Sequence, residues 1–147
     1  MMTINYYRKI KWILCAILFL LVACSFDQVE KRYPDFLSAD KDGIFKKGWL
    51  PPDLTNKSMT DIYLRTNLDL NTCIFSYKLP KTDIEALTRS KQLTSINYES
   101  PSGIKIPKWW IDSVDKLECY FYKTSDRSDT VYVAFDRESN KVLGWIK

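Results

Sequence analysis

The side chains able to do chemistry in this chain are few and mostly acidic. Asp112, Asp115 and Glu118 recur every third residue, and Asp126 and Asp129 flank Arg127. Paired carboxylates can run general acid–base hydrolysis only when a cleft holds them several ångströms apart with separated pKa values. Nothing in this spacing demands a cleft, and a solvated segment or turn accounts for the same residues. The 147 residues include no histidine, which removes Ser-His-Asp and Cys-His catalysis and most zinc sites. With four glycines, Gly43, Gly48, Gly103 and Gly144, neither a P-loop nor a dinucleotide fingerprint can be assembled. The acids also lack the alternating loop and central glycine of a calcium site. The sequence predicts no enzyme, no metal and no dissociable cofactor.

The one position with defined chemistry is Cys24. It follows Leu21-Val22-Ala23, and before these come Arg8-Lys9-Ile10-Lys11 and the uncharged apolar run Trp12–Val22. A basic start, a short apolar middle and a small residue at the cut are the parts of a secretory signal. The run is shorter than the roughly 20 residues that span a bilayer. Leu21, Val22 and Ala23 read as a lipobox, with cleavage before Cys24, a diacylglycerol on its sulfur and an acyl group on its new amino terminus. Several chains give stable attachment where one gives marginal attachment. The expected location is the bacterial envelope, facing the periplasm. Ser25 in place of an acid favours the outer membrane and leaves the inner one open.

Loss of Arg8, Lys9 and Lys11 with the leader lowers the formal charge from +4 to about +1. No clustered basic excess is left for nucleic acid. Lys46-Lys47 and Lys105 with Lys108 read as solvated loop charges, and Arg65 and Lys78 as outward strand residues. Cys15 departs with the leader and Cys24 takes lipid, so Cys73 and Cys119 remain. In an oxidising compartment they are disulfide candidates, the alternative being two separate buried thiols.

These residues are positioned by a small α+β domain. Alternating runs predict strands at 61–65, 72–78, 116–123, 130–136 and 141–146, with Cys73, Phe75 and Tyr77 on one face and Leu117, Cys119 and Phe121 on one face. Residues 67–71 and 137–140 carry turn chemistry. Thr82 and Glu85 have capping-box spacing, predicting one helix over 83–91 with Ile84 and Leu87 on its buried stripe. The expectation is about five mostly antiparallel strands packed on one helix. The domains expected are a cleaved leader over 1–23, a lipid-anchored tether over 24–47 and a globular unit over 48–147. Trp109 and Trp110 follow Pro107. Adjacent residues of an extended segment point to opposite sides, so one indole is a candidate contact surface, the alternative being that both fill the core.

Gly48-Trp49-Leu50-Pro51-Pro52, Thr60-Asp61-Ile62 and Asn67-Leu68-Asp69-Leu70-Asn71, with the lipobox and the closing Asp136 to Gly144-Trp145 strand pair, resemble the YafY/YfjS type of small enterobacterial, often prophage-borne, lipoprotein. The resemblance covers nearly the whole chain and rests on turns and core positions. It implies a membrane-anchored envelope protein, with envelope-stress signalling a candidate process, and it supplies no catalytic residue. The expected partners are the bilayer, through Cys24, and an envelope protein. The leading function is contact, as sensor, modulator or accessory factor. The alternatives are a prophage-encoded defence lipoprotein that excludes superinfecting phage, and an anchored enzyme or small-ligand binder.

Overall fold

The computed structural model describes residues 28–90, 93–111, 116–124 and 130–146. Its elements run β1 (Gln28–Asp35), α1 (Phe36–Lys41), a 3-10 turn (Pro52–Leu54), β2 (Thr60–Asn67), β3 (Thr72–Lys78) and α2 (Lys81–Ser90). After these come β4 (Thr94–Ser95), β5 (Glu118–Lys123), β6 (Thr130–Asp136) and β7 (Lys141–Ile146). The strands form one seven-stranded sheet in the order β1-β2-β3-β7-β6-β5-β4, and every pair is antiparallel. The α+β expectation holds. The sheet is wider than five strands because β1 and the two-residue β4 extend its edges.

β1 corrects the predicted tether. Residues 28–35 pair with β2 from Gln28↔Asn67 to Asp35↔Thr60, so three residues, 25–27, separate Cys24 from the sheet. Asp35 then caps α1, accepting the amide of Ser38 at 2.8 Å. The α2 boundary also moves. The helix begins at Lys81, and Pro80 O accepts the amides of Asp83 and Ile84. Thr82 therefore lies inside the first turn, where it cannot serve as the N-cap of the expected box. Asp83 instead accepts from Ser58 Oγ at 2.5 Å and Asn56 Nδ2 at 3.2 Å, tying the helix start to the loop before β2.

Strand alternation gives the sheet two apolar faces, each with its own core. On the first face Ile62, Leu64, Cys73, Phe75, Tyr77, Val131, Val133, Phe135 and Val142 lie beneath α1, the 42–59 loop and α2, whose Ile84 and Leu87 point in. Tyr77 donates to Leu54 O at 2.7 Å from a fully buried position, fixing the 3-10 turn. Gly144 is required here. A Cβ at that position would stand 2.2 Å from Cζ of Phe75, whose ring lies across the glycine. On the second face Ile74, Ala134, Leu143 and Trp145 meet Ile104, Trp110 and Cys119. Its cover is an irregular strap, residues 96–111, held by rings: Trp110 and Tyr98 each pack edge to face on Trp145, at 6.1 and 5.7 Å.

The two faces separate the cysteines. Register across the sheet runs Cys73↔Ile146, Ile146↔Val131 and Val131↔Tyr122, so the β5 residue in line with Cys73 is Tyr122. Cys119 is three residues from Tyr122, on the opposite face. β7 and β6 also intervene, about 14 Å of sheet at roughly 4.8 Å per strand, whereas a disulfide needs Cα atoms within about 7 Å. The expected Cys73–Cys119 bond is thus corrected to two free, buried thiols. Burial pushes both thiol pKa values up, so neither is a ready nucleophile.

Candidate functional site

β1 carries Val29, Lys31 and Tyr33 on the first face, and beyond α1 the chain returns over them. Gly43 and Gly48, both at positive φ, turn the backbone on each side of Phe45, which stacks on Phe36 at 4.8 Å. Between strand and loop lies an open cleft of about 460 Å³, floored by Val29, Leu64 and Thr66, walled by Ile44 and Trp49, and rimmed by Lys31, Lys47 and Leu68. Its loop is pinned from within: the Cys73 thiol donates to Trp49 O at 3.1 Å.

Asp42, at the end of α1, organises the polar rim. It accepts Lys31 Nζ at 2.5 Å and the Tyr33 hydroxyl, while its carbonyl accepts Lys47 Nζ at 3.2 Å. The Lys31 hydrogen bond, then that of Tyr33, holds the Asp42 carboxyl below the usual carboxylate range. Burial, then the bond and charge of Asp42, pushes the Tyr33 phenol far up. The result is an apolar trough whose lip carries Lys31, paired with Asp42, and Lys47, bonded to the Asp42 carbonyl. The outer edge of β1 is defended against strand addition by Glu30, Lys31, Arg32 and Pro34.

The tryptophans follow the alternative reading, Trp110 and Trp145 lying in the second core with Trp109 packed against it. Trp110 is 2 % exposed and donates through Nε1 to the Tyr98 hydroxyl at 3.1 Å. Trp109 is half-buried on the same face, stacked on Tyr63 at 5.4 Å, with Nε1 donating to Glu30 at 3.0 Å. Both rings reach one face because the chain bends, with the Trp110 amide on Pro107 O. Lys141 Nζ fixes the bend, donating to the carbonyls of Trp109 and Trp110 at 2.6 and 2.7 Å. These indoles clamp the strap to the sheet.

Arg65 also departs from its expected outward, solvated role. It is half-buried, donates through Nε to Glu30 at 2.9 Å and through Nη1 to Lys105 O at 2.6 Å, and joins β1, β2 and the strap. Lys78 pairs with Asp61 at 3.0 Å. Glu118 is held by Arg137 in a bidentate pair at 2.7 Å, which lowers its carboxyl pKa. Leu21, Val22, Ala23 and Cys24, and Asp112, Asp115, Asp126, Arg127 and Asp129, lie outside the described residues. Among the described residues no three His, Cys, Asp or Glu side chains converge as metal ligands, and no helix is long and apolar enough to cross a membrane.

Sequence reasoning missed Lys31, Tyr33 and Asp42. The usable signal was the alternation Val29-Lys31-Tyr33, obscured because Lys and Tyr bury their stems while keeping polar tips wet.

Fold and site together define a small α+β domain with an open side cleft between β1 and the loop after α1. Residues 27–78 match the sequence model of a bacterial domain family described as the YbbD head domain. The matched span opens one residue before β1, closes on the last residue of β3, and contains every side chain that lines the cleft. No curated protein and no solved structure matches the chain.

Proposed function

We propose that this chain is a lipid-anchored envelope protein that acts by protein contact, with the β1 cleft as its contact surface. The observation that carries the reading is the lipobox Leu21-Val22-Ala23-Cys24 behind a basic, then apolar leader, four residues before the sheet begins. Anchorage by N-acyl and S-diacylglycerol groups on Cys24 restricts the domain to partners at one membrane, so a modest cleft gains from high effective concentration. An apolar trough with Lys47 on its rim favours an apolar segment of an envelope protein that carries an acid beside it. The similarity to a head domain over 27–78 fits a module whose first half carries the contact surface. The finer resemblance to YafY/YfjS-type lipoproteins supports a role in envelope-stress signalling. Its prophage-borne members support superinfection exclusion as the second reading, which predicts altered phage sensitivity when the gene is deleted.

The test is photo-crosslinking in cells at native expression, with the crosslinker at Lys47 on the rim or at Glu138 on the remote turn. One envelope protein should be captured at position 47, not at 138, and should be lost with Cys24→Ala. The same abundant bystanders at both positions would contradict the contact role.

A further inference from the structure

We infer that the β2–β3 turn, through Leu68 and Leu70, rests in the lipid surface to which the chain is tethered, so that the anchor sets the orientation of the domain as well as its location. This rests on lipid attachment at Cys24, the reading proposed above.

The first observation is where the apolar surface lies. Leu68 is 56 % and Leu70 55 % exposed, with Val29 at 38 % beside them. The three gather at one end of the sheet, where Gln28 pairs with Asn67 and Val29 with Thr66, whereas Leu37, 76 % exposed, stands alone on α1 beyond the other end of β1 and Ile106 alone on the strap. Single exposed leucines are ordinary. Two on one rigid turn are less so. Asn67 Oδ1 accepts the amides of Asp69 and Leu70 at 3.1 and 3.2 Å, its Nδ2 donates to Gly103 O at 3.2 Å, and Asn71 closes the turn at φ +48. The turn is held in shape, so its leucines are presented outward in a fixed form.

The second observation is reach. Gln28 enters the sheet at this same end, four residues after Cys24, and four extended residues span at most about 14 Å. The opposite end of the strands, where β6 turns into β7, is about 20 Å further on at roughly 3.4 Å per residue. The tether is shorter than the sheet, so the end bearing Leu68 and Leu70 is the end kept near the lipid. Lys123 closes β5 on this same end, placing an ammonium group where anionic headgroups would lie.

The third observation is an internal control. The β6–β7 turn has the same construction: Asp136 Oδ1 accepts the amides of Glu138 and Ser139 at 3.0 and 3.2 Å, and Asn140 closes it at φ +55. Between the matched ends this turn carries Arg137-Glu138-Ser139, where the near turn carries Leu68-Asp69-Leu70. Turn geometry therefore does not call for leucine. Of the two matched turns, the one at the end nearer Cys24 carries the leucines.

The test uses the full acylated protein in vesicles of phosphatidylethanolamine and phosphatidylglycerol with brominated acyl chains. An environment-sensitive fluorophore is attached at Asp69→Cys or, as the matched control, at Glu138→Cys. The probe at 69 should shift to the blue and be quenched by the brominated chains, while that at 138 stays in water. Leu68→Ser with Leu70→Ser should abolish the quenching at 69 while the protein still floats with the vesicles. Equal, water-like emission at both positions from floating protein would overturn the orientation and leave lipid attachment standing. A blue shift at 69 without quenching would also overturn it, by showing cover by a second copy or another protein. Failure to float would overturn both readings.

Discussion

At one end of the sheet Asn67 opens the β2–β3 turn by accepting the amides two and three residues ahead. At the other end Asp136 does the same for the β6–β7 turn, and in each an asparagine at positive φ brings the chain back. The shared parts are what a five-residue turn needs: a side-chain acceptor for two amides and a residue tolerant of the left-handed region. The parts that differ face solvent. The remote turn is ion-paired, Arg137 with Glu118 and Lys116 with Glu138 at 2.6 Å, whereas the near turn exposes two leucines. Where a fold repeats a device, the residues left free by the device report what each end of the molecule meets.

Removing the shared acceptor should have the largest effect, and an unequal one. Asn67 is 7 % exposed and also holds the strap through Gly103 O, so Asn67→Ala should cost about 2–3 kcal/mol, toward the upper range for stranding buried hydrogen-bonding groups. Asp136→Ala, at a wetter site, should cost about 1 kcal/mol. Urea unfolding of the two variants measures the difference, and equal costs would show that the strap contact is idle.

Acid should act on one end only. The hydroxyl of Ser139, then its amide and that of Glu138, holds the Asp136 carboxyl below its ordinary range, as Arg137 does for Glu118. Groups with depressed folded pKa values stabilise the fold above the ordinary carboxylate range and lose that contribution as pH falls through the folded values. Amides of Glu138 and Ser139 should therefore lose hydrogen-exchange protection on acidification, after allowance for intrinsic rates. Those of Asp69 and Leu70, held by the uncharged amide of Asn67, should keep theirs. Asp136→Asn should flatten the acid response at the remote turn.

The smallest effect on stability should come from exchanging the exposed residues. Replacing Leu68-Asp69-Leu70 by Arg-Glu-Ser should leave the unfolding free energy within about 0.5 kcal/mol, the usual range for surface positions. A loss of several times that figure would mean that Leu70, whose Cδ1 lies 3.0 Å from where a Cβ on Gly103 would stand, is needed to seat the strap.

Much of this fold was legible because strands write themselves as alternation. Residues 72–78 and 141–146 were placed to within a residue, and Cys73, Phe75 and Tyr77 do share a face. β1 was missed because Glu30, Lys31, Arg32 and Pro34 look like linker. The same residues are what an edge strand uses to avoid pairing further. The disulfide failed for a different reason. Alternation says which residues of one strand share a face, and only the register through β7 and β6 says that Cys73 and Cys119 face opposite ways. The strap over 96–111 has no period at all, since rings and side-chain bonds to backbone carbonyls hold it in place of a ladder. Of the candidate site, Trp49 and Leu68 were visible as motif residues, but the cleft they border exists only once β1 is seen as a strand.

The claim on which location, contact and orientation all depend is processing at Cys24, and the intact mass of the protein extracted from membranes tests it most directly. The account predicts a chain that begins at Cys24 and carries the added mass of a diacylglycerol and one further acyl group, with Cys24→Ala accumulating as uncleaved precursor. A chain that retains residues 1–23, or one cut before Cys24 without lipid, would contradict it.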